Sequence, residues 1–239
     1  MGVIKAAIGD AILTSIWVFG ISTLRILTAK IALFLGLQPV SLVGLFITTT
    51  LSTFMVFTIS LIGRALGGAS FNPSTTVSFY TAGLRPDSSL ASMAVRFPAQ
   101  AAGGAVGAKV TLLVMPTKYK HMLKGPSLKV DLHKGAIAEG VLTFTLNLVI
   151  LFVMLRGPKN PLLKVYLIAL ATVALVIPGS GYTGPSMNPA NAFGWAYVNN
   201  KHNTWELFYV YWLFPFIGAI FAALVYRFLF MSQTKKKKA

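Results

Sequence analysis

Residues 68–80 read GASFNPSTTVSFY, and the Asn-Pro pair within this stretch decides how the fold is interpreted. Asn is favoured at the N-cap of a helix, and Pro is favoured at the first helical position. The apolar segment that begins here extends over about residues 69–82, between two much longer apolar runs. A helix of about ten residues rises only about 15 Å, which is half the thickness of a bilayer core. The stretch therefore predicts a half-helix that enters a membrane without crossing it.

A second short apolar segment, residues 184–198, repeats this pattern with SMNPA in place of SFNPS. Ahead of each segment an acidic residue lies early in a long apolar run, Asp10 in GDAILT and Glu139 in AEGVLT. Two half-chains with three spans and one half-helix each must lie in opposite orientations. The pattern predicts an inverted repeat whose site lies near the middle of the membrane. A third pair, Asn160-Pro161, lies in a basic connector and is interpreted as an ordinary turn.

The composition is that of an integral membrane protein. Of the 239 residues, 55% are hydrophobic and 11% are charged, whereas soluble domains carry about 25% charged residues. A spanning helix needs about 20 apolar residues, and an open backbone in lipid cannot satisfy its hydrogen bonds. Six segments are therefore predicted to be spanning helices: 6–28, 40–62, 90–114, 135–155, 162–178 and 207–230. The first is interpreted as a retained span because it lacks a small-residue cleavage site.

Charge and residue types exclude several classes of function. The net charge of +16 comes mostly from basic residues in short connectors and at the C-terminus. We therefore expect contact with anionic lipid and no nucleic-acid partner. The chain has no cysteine, and His121, His133 and His202 lie at no metal-ligand spacing. Since paired carboxylates, a nucleophile motif and a phosphate loop are also missing from the sequence, we expect no enzyme activity, metal or cofactor.

Asn72 and Asn188 are predicted to lie where the two half-helices meet. Each amide can cap its own helix through its oxygen and offer N–H to a passing molecule. The helix dipoles would bring two positive ends together. We expect Asp10 and Glu139 to brace the half-helices, because a carboxylate can accept N–H groups from the irregular segment that leads into each one. The alternative is an interfacial position, in which these carboxylates face lipid headgroups.

The stretches FNPS and YTGPSMNPANAFGWAY, with the two acid-bearing spans, resemble the aquaporin or major intrinsic protein family over essentially the whole chain. The basic charge, the altered first motif and the Lys-rich tail are most similar to the first subgroup of plant small basic intrinsic proteins. The resemblance implies an all-α membrane protein: an aquaporin-like bundle of six transmembrane helices and two pore half-helices, with a pore in each protomer of a homotetramer. It implies one channel domain over 1–239, with repeats at about 1–115 and 130–230 and a basic cytosolic tail at 231–239.

The pore motifs and a selectivity filter follow from the resemblance. The second motif, Asn188-Pro189-Ala190, is the usual one of the family, whereas the first is Asn72-Pro73-Ser74 instead of Asn-Pro-Ala. The family commonly has Arg directly after the second motif, where this chain has Asn191. The resemblance places the remaining filter positions at Val176, Pro185 and either Met55 or Ser52. The filter would therefore lose a fixed positive charge and become less polar.

The resemblance implies a channel for passive transport of water, with modest permeability and altered selectivity. The alternatives are a channel for other small neutral solutes and a non-conducting structural membrane protein. The C-terminus SQTKKKKA places Lys236 and Lys237 where a dilysine signal for retrieval to the endoplasmic reticulum would stand. The alternative is a polybasic patch on anionic lipid. We expect a multi-pass protein of the endoplasmic reticulum membrane with both termini cytosolic.

Overall fold

A computed structural model describes residues 2–38, 41–84 and 89–231. Five long helices are continuous: α1 (Val3–Phe34), α2 (Leu42–Ala65), α4 (Leu90–Val114), α5 (Leu132–Arg156) and α6 (Pro161–Gly179). Two short helices are α3 (Pro73–Thr81) and α7 (Pro189–Val198). The last span consists of α8 (Trp205–Phe208), a π-helical turn (Tyr209–Leu213), α9 (Phe214–Tyr226) and a second π-helical turn (Arg227–Met231). The predicted arrangement of six long segments and two half-helices is confirmed. Lys236 and Lys237 lie outside the described residues.

Five of these segments are long and apolar enough to cross a membrane: α1, α2, α5, α6 and Trp205–Phe230. Helix α4 has 25 residues, which is sufficient length, but its composition is less apolar. It carries Arg96 and Gln100, which are buried inside the protein, and several glycines and alanines. Because Arg96 and Gln100 face other helices, they lower the hydropathy of α4 without being exposed to water.

The two halves of the chain interlock through matching contacts. Helix α1 packs on α4 in the first half, and α5 packs on α9 in the second. The half-helices cross over, since α7 packs on α4 of the first half and α3 packs on α9 of the second. Helices α2 and α6 join the halves on another side. This exchange brings the N-terminal ends of α3 and α7 together inside the bundle.

Glycines permit the closest helix contacts. A Cβ added at Gly103 would overlap the backbone of Ala11 in α1, and one added at Gly104 would overlap the carbonyl oxygen of Ala190 in α7. Gly218 of α9 lies in the same way against Gly140 of α5. Small residues let helix backbones approach closely in membranes, where dispersion contacts replace the hydrophobic effect.

The interpretation of Asn160-Pro161 as an ordinary turn is wrong. The Asn160 side chain caps α6 and accepts the N–H groups of Leu162 (2.9 Å) and Leu163 (3.2 Å). This is the capping chemistry of the half-helices, placed before a helix of 19 residues. The Asn-Pro pair therefore signals a helix start in all three places, and the length of the apolar run that follows decides whether the helix spans.

Candidate pore between the two half-helices

The two asparagines of the predicted pore begin their helices in the same way. The Oδ1 atom of Asn72 accepts the N–H of Ser74 at 3.0 Å, and that of Asn188 accepts the N–H of Ala190 at 3.1 Å. Both asparagines have extended backbones, and a proline follows each at the first helical position. Extended N-caps of this kind satisfy backbone donors that a helix leaves unpaired.

The asparagine amides also tie the half-helices to each other. Nδ2 of Asn72 donates to the carbonyl of Met187 at 3.0 Å, and Nδ2 of Asn188 donates to the carbonyl of Phe71 at 3.0 Å. Each carbonyl belongs to the residue before the opposite asparagine. An amide nitrogen carries two hydrogens, so this reciprocal bond uses one of them and leaves the other. The sequence interpretation had assigned the amide N–H groups only to the pore.

Asp10 holds the segment that leads into α3. It is fully buried, and its Oδ1 accepts the backbone N–H of Ser70 at 2.8 Å, two residues before Asn72. An interfacial carboxylate facing headgroups would be exposed, which Asp10 is not. To hold the irregular segment before α3, a carboxylate must accept backbone N–H groups from it, and Asp10 does so.

Two further residues complete this brace, and the sequence interpretation missed both. Arg96 binds Asp10 through two bonds, Nε to Oδ2 at 2.7 Å and Nη2 to Oδ1 at 2.8 Å. Nε2 of Gln100 donates to Oδ2 at 2.7 Å. Paired Arg–carboxylate bonds of this geometry are among the strongest in proteins. Two polar side chains one helical turn apart in an apolar span are a signal that could have identified them.

Glu139 holds the segment that leads into α7, with different partners. Its Oε1 accepts the N–H of Ser186 at 2.8 Å and the hydroxyl of Thr183 at 2.9 Å, and its Oε2 accepts the N–H of Met187 at 3.0 Å. Tyr211 donates its hydroxyl to the carbonyl of Thr183 at 3.0 Å. Glu139 is fully buried, and within the described part of the chain it forms no ion pair.

Met187 is clamped at the point where the halves touch. Its φ is 49°, a left-handed conformation that costs a side-chain-bearing residue about 1–2 kcal/mol. Its N–H donates to Glu139 and its carbonyl accepts from Asn72, so both backbone polar groups are held by side chains from other elements. Strain of this kind persists where surrounding contacts enforce it, and such positions cluster at functional sites.

Asn191 does not extend freely from α7. Its Nδ2 donates to Oγ of Ser186 at 3.1 Å, and Ser186 in turn donates that hydroxyl to the carbonyl of Asn188 at 2.7 Å. The Oδ1 of Asn191 is buried and has no hydrogen-bond partner within the described residues. The amide is thus folded back onto the segment that enters α7.

The remaining filter candidates lie on three other elements. Val176 is in the last turn of α6 and is 37% exposed. The ring of Pro185 lies against Gly179, one turn further along α6, so the loop returns beside Val176. On α2, the sulfur of Met55 lies against Gly20 of α1. The rival candidate on α2, Ser52, is buried.

An interlocked inverted repeat, with two capped half-helices joined end to end inside a bundle of apolar helices, defines a multi-pass membrane channel. Comparison with known sequences agrees, since the profile of the major intrinsic protein family matches residues 1–226. The chain belongs to this family, whose members are channels and not enzymes.

The relatives include plant proteins of similar length. The chain is 51% identical to Aquaporin SIP1-1 of Oryza sativa subsp. japonica, covering 99% of this chain and 97% of the relative. It is 48% identical to Aquaporin SIP1-1 of Arabidopsis thaliana, covering 100% and 98%. The predicted resemblance to the first subgroup is confirmed. The X-ray structure of the aquaglyceroporin from Plasmodium falciparum shares the fold, with a TM-score of 0.74 and 19% identity over 98% of this chain and 99% of that one.

Proposed function

We propose that this chain conducts water through a pore whose centre lies at the amides of Asn72 and Asn188. The observation that carries the proposal is the reciprocal bond between the half-helices. It fixes both amides in one place and leaves each with a second N–H group. Family membership and the relatives named aquaporin support water as the first solute to test.

The chemistry of the centre suits a neutral molecule with an acceptor oxygen. A water that accepts both amide hydrogens turns its own hydrogens away from them, which interrupts a one-directional chain of hydrogen-bonded waters. The N-terminal dipoles of α3 and α7 add positive potential there, which opposes protons and cations. Half-helix dipoles act in this way in aquaporin-type pores generally.

The filter in this proposal consists of Val176, Pro185, Asn191 and Met55. It contains no cation, and the amide of Asn191 is bonded to Ser186 rather than directed outward. Fewer polar groups hold fewer waters, so we propose modest water permeability with altered selectivity. Apolar constrictions can also close by dewetting, which makes a non-conducting structural role the alternative outcome.

The proposed assembly is a homotetramer of single-domain protomers, with repeats at about 1–115 and 130–230. The exposed apolar side chains of α6, among them Leu162, Leu170 and Ile177, offer a surface for subunit contact. We further propose retention in the endoplasmic reticulum through Lys236 and Lys237, with both termini cytosolic. Two residues appended after Ala239 would then release the protein from that membrane, and an unchanged reticular location would argue against the signal.

The experiment that tests the channel is osmotic shrinkage of proteoliposomes containing the purified chain, followed by stopped-flow light scattering. Shrinkage faster than that of empty vesicles, with a low activation energy, supports a water pore. The same vesicles challenged with urea, glycerol or hydrogen peroxide test the neutral-solute alternative. Folded protein that accelerates none of these fluxes would favour the structural role.

A further inference from the structure

An apolar groove of about 760 Å³ lies outside the pore, between α4 and the last span. Its floor on α4 consists of Ala101, Ala102 and Ala105, which are too small to reach across to the rings of Phe208 and Trp212. Phe193 of α7 contributes to the same groove and contacts Trp212, with ring centroids 6.5 Å apart. The groove therefore exists because small residues face large ones across a gap between the halves.

The groove is about as long as one membrane leaflet is thick. Along α4 its lining runs from Phe97 to Lys109, which are twelve residue steps apart. At 1.5 Å per residue this is about 18 Å, close to the half-thickness of about 15 Å of a bilayer core. One acyl chain of a phospholipid would fit along this length.

A cation lies at the outer end of the groove. Lys109 is exposed and comes five residues before the end of α4, and so about 7.5 Å below that end. The C-terminus of α7 and the start of α8 lie at the membrane face where α4 ends. This follows because α6 also ends at that face, and α7 runs back to it from inside the bundle. Among the described residues that line the groove none is acidic. A long lysine side chain in this position can lie along apolar surface and present its amine at headgroup level.

We propose that this groove binds one anionic phospholipid per protomer, with an acyl chain along the alanines of α4 and the phosphate group at Nζ of Lys109. The surface is open on one side, as Ala102 is exposed and Tyr197 is 47% exposed. A basic side chain near an anionic lipid surface contributes about 1 kcal/mol, which corresponds to about a fivefold change in affinity. The site is separate from the pore motifs and does not depend on which solute passes.

Mass-resolved lipid titration of the full chain in detergent tests the headgroup assignment. Dioleoylphosphatidylglycerol is compared with dioleoylphosphatidylcholine. We expect Lys109→Gln to weaken binding of the first bound phosphatidylglycerol about fivefold, and Lys109→Arg to retain it. The control is Lys120→Gln, since Lys120 is an exposed cation of the connector at the same membrane face. Equal binding of the two lipids by the unmodified chain, or equal effects of Lys109→Gln and Lys120→Gln, would overturn the proposal.

A second variant tests the acyl chain site. Ala102→Phe adds a ring to an exposed position within the groove, and Val141→Phe adds bulk to an exposed position of α5 outside it. We expect Ala102→Phe to abolish the single bound lipid and Val141→Phe to leave it. Each variant must show the unfolding temperature of the unmodified chain without lipid. If Ala102→Phe instead separates oligomers into protomers, the groove holds a second copy of the chain, and the lipid proposal fails.

Discussion

Asp10 and Glu139 hold the segments that lead into the two half-helices, but they do so with different hydrogen-bond partners. Both place a fully buried carboxylate against the backbone that enters a half-helix. Asp10 accepts one backbone N–H and is neutralised by Arg96, whereas Glu139 accepts two backbone N–H groups and one hydroxyl without a cation among the described residues. A buried carboxylate can thus be stabilised by a counter-charge or by uncharged hydrogen-bond donors alone. The two solutions should differ most when one partner is removed.

The largest effect is expected from Arg96→Met, which leaves the Asp10 carboxylate buried without its cation. Removing one partner of a buried ion pair costs about 3–5 kcal/mol of unfolding free energy. The measurement is reversible unfolding in detergent, with Lys120→Met as the exposed-cation control. The double variant Asp10→Asn with Arg96→Met should recover much of the loss, because it removes both charges. A loss below about 1 kcal/mol in Arg96→Met would contradict the first brace.

A smaller effect is expected from Glu139→Gln. This change leaves no unpaired cation, but it turns one acceptor oxygen into an amide that cannot accept the N–H of Ser186 or Met187. An unsatisfied buried donor costs about 1–3 kcal/mol. Asp10→Asn leaves Arg96 buried without its counter-charge, so it should lower the free energy of unfolding more than Glu139→Gln does in the same assay. The reverse order would show that the counter-charge is not the important difference between the braces.

The third residue of each pore motif offers a matched pair of substitutions with a still smaller effect. Ser74 is fully buried, and its hydroxyl has no hydrogen-bond partner within the described residues. We expect Ser74→Ala to stabilise the fold by about 1 kcal/mol, since it removes an unsatisfied polar group. Ala190→Ser places a hydroxyl at the equivalent position of α7 and should destabilise it. Unfolding temperatures of the two variants test this, and a loss of stability in Ser74→Ala would reveal a partner for the hydroxyl.

The smallest effect concerns an exposed acid on the same helix as Glu139. Asp131 caps α5, and the N–H groups of Lys134 and His133 lower the pKa of its carboxyl. A lowered pKa means that the carboxylate stabilises the fold above its ordinary pKa of about 4, and that this contribution is lost as the pH falls through the folded value. The advantage of the unmodified chain over Asp131→Ala should shrink between about pH 5 and 3. An advantage that grows on acidification would contradict the cap.

The spans and half-helices could be predicted because they depend on local patterns. The lengths of the apolar runs and the Asn-Pro pairs before them identify these helices without knowledge of tertiary contacts. The span after Asn160 was also predicted, but the Asn-Pro pair before it was interpreted as a turn, whereas it caps that span. The pair indicates a helix start, and only the length after it distinguishes a half-helix.

The missing parts of the site depend on contacts between distant segments. Arg96 meets Asp10 across 86 positions of sequence, and Asn72 bonds to Met187 across 115. No local pattern gives the left-handed backbone of Met187, which its partners Glu139 and Asn72 hold in place. Similarly, the back-folded amide of Asn191 depends on where Ser186 is placed by Glu139.

We propose that the amides of Asn72 and Asn188 form the centre of the pore, in addition to capping two helices. Asn188→Asp tests it most directly, because an aspartate still caps α7 through oxygen but has no N–H for Phe71 or for water. Asn160→Asp makes the same change at a cap outside the pore.

Osmotic water permeability of proteoliposomes is measured for both variants at equal amounts of folded protein. We expect Asn188→Asp to lower permeability about fivefold, since about 1 kcal/mol of hydrogen bonding is lost in the barrier. We expect Asn160→Asp to leave permeability unchanged. Equal permeability of Asn188→Asp and the unmodified chain would contradict the claim.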